Sequence, residues 1–390
     1  PSLNARIKKV CIKDANKKRD APAELFTTDR HELLNDTEIN VIVEVINESE
    51  PAFEIVTTAL QNGKAVVSAS KKMIAEHLPA LLALQEKTGL PFLYEAAACA
   101  SIPVIRNLEE YYDNDLLHSI KAIVNGSTNF ILTRMFEDKL EFRQALVLAQ
   151  QLGFAESDPT LDVEGYDAVN KWTFLLTHAY GIVEHPQNIL FNGIQNLHKQ
   201  DALVGQEKNY QVRLVAQAKK LQNGQVAAFV LPQFVPQDDH LAFVKNEFNG
   251  VVIESGFADK QFFYGKGAGS FPTASAVLSD IAALRYEYRY EYKKLYHHRP
   301  HELTNDLYLR VYVSFEDLNL IPREQFEWIE EWHANEARKY LVGVLNFSVL
   351  KETMWWKENN TSLILLPDPI IEDMEIRKLK KKSLELAGLV

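Results

Sequence analysis

The chain is poor in sulfur, short of basic groups for its acids, and without a long apolar run. Two cysteines, Cys11 and Cys99, occur in 390 residues. They have no metal-ligand spacing and no disulfide framework, so reduced thiols in a cytoplasmic protein are expected. Lys and Arg total 42 against 53 Asp and Glu, a formal net charge of −11. Such a surface repels phosphate backbones, so no nucleic-acid partner is expected. No apolar run approaches the roughly 20 residues that a bilayer-crossing helix needs, and no signal-peptide core precedes Ile7. No membrane partner is expected.

What is present reads first as alternating strands and helices. Strand signals fall at Ile7 to Lys13, Ile39 to Ile46, Ala65 to Ser68 and Phe92 to Tyr94. Pro51 to Asn62 and His77 to Thr88 read as helices, stopped by Gly63 and Gly89. Alternation of this kind builds a parallel sheet covered on both faces, a Rossmann-type dinucleotide-binding fold. That fold opens with a strand and a glycine-rich turn, whose backbone N–H groups receive the pyrophosphate. Neither is expected in this sequence, which places the pyrophosphate contacts upstream of Ile7, and the chain as written is expected to hold NADP(H) weakly.

From Leu116 onward the pattern changes to α+β. Ser119 to Val124 reads as a strand, and Thr128 to Asp138 and Phe142 to Leu152 as helices. Val226 to Val235, Ala242 to Phe248, Val251 to Ser255 and Gln261 to Tyr264 look like antiparallel strands, and Pro272 to Leu284 a returning helix. In the last stretch a strand Asp306 to Phe315, a helix Arg323 to Asn335, and strands Tyr340 to Phe347 and Ser362 to Leu366 are expected.

Chemistry concentrates between Leu152 and Lys171. Glu156, Asp158, Asp162, Glu164 and Asp167 precede a single lysine, Lys171, with Pro159 and Gly165 making the first part a loop. Asp167 and Lys171 are four apart at the start of a helix and share a face. The cluster suits a small substrate with an ammonium group and a hydroxyl that exchanges a proton. Read alone, it more readily describes a solvated acidic loop with a surface ion pair.

This window resembles the signature of homoserine dehydrogenases. So do Ser68 to Ala75 (SASKKMIA), Tyr94 to Arg106 (YEAAACASIPVIR), Val124 to Leu132 (VNGSTNFIL) and Tyr264 to Val277 (YGKGAGSFPTASAV). The five occur in family-like order and the similarity stops near Tyr296. The resemblance implies an α/β plus α+β protein. A dinucleotide-binding domain would span 1–103 and 272–300, and a mixed-sheet substrate-binding and dimerisation domain 104–271. A small C-terminal module, 301–390, would resemble a degenerate ACT-type regulatory domain. It also implies a homodimer that reversibly reduces L-aspartate 4-semialdehyde to L-homoserine with NADP or NAD.

The same resemblance assigns roles. Lys171 and Lys71 would be catalytic, with Lys171 the proton donor, and Glu156, Asp162 and Asp167 would bind substrate. Lys13 and Asn47, by their place at strand ends, and Ser70, Lys71, Gly126, Gly267 and Gly269 would line the cofactor. Around Lys13 the cations outnumber the acid Asp14, which favours a 2′-phosphate and hence NADP, though a solvated basic turn has the same composition. Glu95 with the carbonyls of Ala98, Ala100 and Ile102 would hold a monovalent cation such as sodium, or Glu95 is a satisfied buried carboxylate. Alanine and serine stand at 100 and 101 where family members often carry glycines. Two other readings stay open: an NADP-linked dehydrogenase of another small amino or hydroxy acid, and a non-catalytic paralogue.

Overall fold

A computed structural model describes residues 5–114, 116–299, 301–334, 339–357, 361–373 and 375–376. The first hundred residues form two small parallel sheets. β1 (Val10–Cys11) pairs with β2 (Phe26–Thr27), while β3 (Val41–Glu44), β4 (Ala65–Ser68) and β5 (Phe92–Leu93) lie side by side in that order. The strand expected over Ile7 to Lys13 shrinks to its two paired residues. It has one neighbour to bond, and Ile7 is 71% exposed.

Helices Ser49–Gln61 and Lys71–Thr88 cover this sheet through apolar stripes at helical spacing. Ala52, Val56, Ala59 and Leu60 of the first, and Met73, Ile74, Leu78 and Leu81 of the second, are buried. The second helix begins six residues before the expected His77, and this puts Lys71 on its first turn. It also runs through Pro79, whose missing N–H deletes one helical bond without breaking the buried stripe. Gly89 ends it in the left-handed conformation at φ 67°, its N–H bonded to the Gln85 carbonyl at 2.8 Å.

The rest is dominated by one ten-stranded sheet. Its strands are β6 (Leu117–Ile123), β7 (Leu190–Phe191), β8 (Tyr210–Lys220), β9 (Val226–Pro236), β10 (Phe248–Ser255), β11 (Asp259–Lys266), β12 (Tyr308–Ser314), β13 (Phe326–Ala334), β14 (Lys339–Asn346) and β15 (Ser362–Ile371). The order is β11-β10-β6-β8-β9-β15-β12-β14-β13, with β7 also on β9. Ala242 to Phe248 is not a strand. Residues His240–Phe243 make a 3-10 turn, capped by Asp239 accepting from the Leu241 N–H at 2.8 Å.

The C-terminal stretch departs further from expectation. Of the helix expected at Arg323 to Asn335, Arg323–Gln325 form a 3-10 turn and Phe326–Ala334 form β13, antiparallel to β14, while Asn335 lies outside the described residues. Phe326, Trp328, Ile329 and Trp332 suit a pleated surface, and a neighbouring strand to bond overrides the glutamates' helix preference. The expected βαβ-β order is thereby corrected, among the described residues, to an antiparallel array. That array continues the central sheet: Leu365 of β15 pairs in parallel with Gln233 of β9. Phe229 and Leu231 of β9 share a core with Leu309, Val311, Leu363 and Leu365.

Helix Ser270–Leu284 returns the chain to the nucleotide-type sheet and packs on β4 and on helix Glu95–Cys99. Helix Tyr166–Tyr180 packs against helix Lys71–Thr88. Those two helices carry the chemistry to one point.

Candidate active site

The site forms where helix Lys71–Thr88 meets the first turn of helix Tyr166–Tyr180. Asp167 is at its centre and is buried. Its Oδ2 lies 2.8 Å from Lys171 Nζ and its Oδ1 lies 2.5 Å from Lys71 Nζ. Lys171 also donates to the Val124 carbonyl at 2.7 Å. An ammonium has three donors, so one N–H of Lys171 remains for another acceptor. The side chains of Asp167 and Lys171 are 2% and 6% exposed, which rules out the surface-pair reading. Lys71, at 46%, is the open member of the triangle.

The electrostatics follow from this geometry. Burial pushes the Asp167 carboxyl up, but the ammonium groups of Lys171 and Lys71 outweigh it and hold the group well below the usual carboxylate range. The charge of Asp167 raises the Lys71 ammonium against the lowering effect of burial, and Asp162 and Glu156 add to the rise. Lys71 is therefore firmly charged.

Asn125 was not singled out from the sequence, and it organises the cluster. Its Oδ1 accepts the Thr128 N–H at 2.8 Å, capping helix Gly126–Glu137. Its Nδ2 donates to Asp162 Oδ1 at 2.6 Å and to Asp167 Oδ2 at 2.8 Å. The N-cap signal, an Asn before an apolar helix, was visible in the sequence. The two acids it reaches lie 37 and 42 residues away and were not. Asp162 is half-buried on the short helix Thr160–Val163, and Glu156 is exposed on the loop before it. Asp158 accepts from the Thr160 N–H and hydroxyl at 3.1 and 2.6 Å, which shapes the loop.

The helix bearing Lys171 is fixed two turns further on by a buried polar chain. His178 Nδ1 lies 2.6 Å from Glu109 Oε1, and its Nε2 lies 2.8 Å from the Tyr94 hydroxyl. The Tyr94 hydroxyl in turn lies 3.0 Å from that of Tyr292.

The residues expected at the cofactor are scattered along the carboxyl ends of β1, β3 and β4 and around the sheet-domain loops. Lys13, exposed, pairs with Glu48 at 3.1 Å, next to the exposed Asn47. Ser70 is turned inward: its hydroxyl lies 2.7 Å from Glu44 Oε1 and 2.6 Å from the Ile46 carbonyl. Gly126 and Gly267 have packing roles. A Cβ at Gly126 would lie 2.6 Å from the Glu247 carbonyl oxygen, and one at Gly267 1.8 Å from the Asn249 amide nitrogen. Gly269, at φ 110°, precedes helix Ser270–Leu284. The exposed Val45, Asn47 and Glu48 and the half-exposed Lys71 ammonium occupy the strand ends where this fold takes a dinucleotide.

The cation set fits less well. Both Glu95 oxygens accept backbone donors, from Ile105 at 2.8 Å and Arg106 at 3.0 Å, and the Ile102 carbonyl accepts the Val104 N–H at 2.9 Å. Ala98 and Ala100 are buried beside them, and Ala100 takes a positive φ of 41°. Glu95 thus does the work of the satisfied buried carboxylate. No cluster of three His, Cys, Asp or Glu ligands occurs among the described residues.

A parallel α/β unit of the dinucleotide-binding kind is thus joined to a large mixed sheet, with an ammonium–carboxylate–ammonium triangle at the junction. Residues 2–95 match the family model for the homoserine dehydrogenase NAD-binding domain, and residues 103–282 match that for homoserine dehydrogenase. The homoserine dehydrogenase of Bacillus subtilis is 36% identical over 285 residues, covering 73% of this chain and 66% of that protein. That of Neisseria gonorrhoeae is 33% identical, covering 80% of this chain and 75% of its own. Among solved structures, a homoserine dehydrogenase from Thiobacillus denitrificans aligns with a TM-score of 0.74 at 26% identity, over 88% of this chain and 85% of that one. A hyperthermophilic archaeal homoserine dehydrogenase mutant in complex with NADPH aligns at 0.58 and 30%, over 69% and 78%. The chain belongs to the homoserine dehydrogenase family.

Proposed function

We propose that this chain interconverts L-aspartate 4-semialdehyde and L-homoserine with NADP(H), the step that leads toward threonine, methionine and isoleucine. The observation that carries the reading is the Lys71–Asp167–Lys171 triangle around the buried Asp167. The nicotinamide, when bound, supplies or takes the hydride. Lys171, held by Asp167 and the Val124 carbonyl, presents its remaining N–H to the substrate oxygen and donates the proton as that oxygen gains charge. Lys71, charged and half-open, sits between the acid cluster and the strand ends, where it steadies the same oxygen and the cofactor. Asp162 and Glu156 take the substrate ammonium. Asp167, pinned by Asn125, fixes the lysine.

Lys13 beside the β1 end supports NADP over NAD, with Asn47, Ser70, Gly126, Gly267 and Gly269 as the remaining contacts or supports. A homodimer in the cytoplasm fits the resemblance; no described helix is long and apolar enough to cross a membrane. A monovalent cation has no part in this chemistry, and each Glu95 oxygen already accepts a backbone N–H.

The test is NADPH oxidation with aspartate semialdehyde, beside the analogue lacking the amino group. Turnover of the first and loss of binding of the second is expected. Equal use of both would remove the acid cluster from substrate recognition.

A further inference from the structure

Away from the lysine triangle, a cavity of about 380 Å³ opens between the far end of helix Tyr166–Tyr180, the 223–225 turn that joins β8 to β9, and the segment 294–302. Its volume lies in the range of small-molecule sites. Tyr180 stands nine residues along the helix from Lys171, about 13 Å at 1.5 Å per residue, so the occupant is not the reacting substrate.

The lining is unusual for an acid-rich chain. Lys294, His298, Arg299 and His301 all line it, opposed by Glu302. Lys294 donates to the carbonyls of Leu108 and His178 at 2.8 and 3.1 Å, which fixes its ammonium at the wall. His301 Nδ1 lies 2.8 Å from the Gly224 carbonyl, and His298 Nε2 lies 3.1 Å from Asp113. Arg299 is exposed and makes no hydrogen bond or ion pair to another described residue. Lys293, six residues earlier, finds Glu110 at 3.4 Å, and Arg289 finds Glu291 at 2.9 Å. Arg299 is thus open to an anion from solution, with the Lys294 ammonium in the same lining.

We propose that this cavity binds a small anion through a carboxylate or phosphate group, gripped by Arg299 with His298 and Lys294. A guanidinium presents paired N–H donors that match either group in a two-bonded fork. The aromatic edge of Tyr180 and the apolar Leu117 and Ala179 leave room for a short hydrocarbon part. A ligand there bridges the segment that leaves the nucleotide-type domain and the end of the helix whose start carries Lys171.

The experiment is titration calorimetry on the full chain with inorganic phosphate and, separately, succinate, at constant ionic strength set with chloride. Saturable binding of at least one is expected, with the dissociation constant raised at least about tenfold in Arg299→Gln or His298→Gln. Both variants change exposed side chains, and their unliganded melting temperatures should match the parent. Phosphate binding without succinate would assign the phosphate class, and the converse the carboxylate class. Absence of saturable binding by either anion, or binding undiminished in both variants, overturns the proposal.

Discussion

Lys171 lies one helical turn beyond Asp167, its ammonium 2.8 Å from Oδ2, while the other carboxylate oxygen holds Lys71 at 2.5 Å. One buried acid thus spaces two cations, and neither can approach a third group without the other's charge being felt. The consequence for chemistry is directional. Lys171 is the enclosed donor and Lys71 the one that meets the crevice.

Replacing Lys171 with alanine is therefore expected to lower turnover at least about a hundredfold, the scale of losing a general acid. Substrate binding should weaken only modestly, since the proposed ammonium contacts lie on Glu156 and Asp162. Steady-state kinetics of Lys171→Ala in NADPH oxidation checks this. Unchanged turnover would assign the proton to another group.

Glu156 is exposed, and its charge contributes to the rise of the Lys71 ammonium. Glu156→Gln keeps the shape and removes the charge. The Michaelis constant for homoserine should rise by more than turnover falls. If turnover collapses at a constant Michaelis constant, Glu156 belongs to the chemistry instead.

Asn125 does two jobs with one amide, so its loss should show in two measurements. Asn125→Ala removes the cap of helix Gly126–Glu137, a cost of about 1 kcal/mol in denaturant unfolding. It also leaves Asp162 and Asp167 without their shared donor, which should lower kcat/KM. Asn125→Ser can restore the cap but not the reach to both acids. Serine rescue of stability without rescue of kcat/KM is the expected pattern, and rescue of both would reduce Asn125 to a cap.

Glu95 gives a pH prediction. Burial pushes its carboxyl up to about 7, against the lowering by the Ile105 and Arg106 N–H groups. An unfolded glutamate releases its proton near 4.5. Between these values the folded chain holds the extra proton, so this group's contribution is complete below the lower value and lost as pH rises through the higher one. The loss amounts to roughly 3 kcal/mol at its limit. Melting temperatures of the parent and Glu95→Gln between pH 5 and 8 test it: the variant should lose less over the rise. Parallel profiles would mean that Glu95 keeps its charge throughout.

The parallel unit was legible because its signals are local. Gly63 and Gly89 stop helices in left-handed turns, and β4 falls where the apolar run Ala65 to Ser68 lies. Glu156, Asp162, Asp167 and Lys171 could be gathered because they crowd into sixteen residues of sequence. β8 could not be read, since it buries Arg213 and Gln217 at 1% and 2% exposure and so hides its period among polar residues. β13 was mistaken for a helix because its glutamates favour one, while its partner β14 lies beyond the window that sets the preference. Asn125 was missed for the same reason: its meaning depends on acids that only folding brings near.

The seam at β9 has a consequence for inheritance. That strand carries β8 along one side, and β7 and β15 along the other. A cassette that can be gained, lost or exchanged between proteins usually has a border where few bonds cross. Here a single ladder pair, Leu365 with Gln233, crosses the border, but Phe229 and Leu231 pack in one core with Leu309, Val311, Leu363 and Leu365. Excising the last strands would uncover a long apolar rim suited to sticking to other chains. Substitutions at Phe229 or Leu231 and at the facing Leu309, Val311, Leu363 and Leu365 are therefore coupled, each limiting what the other side of the seam can accept.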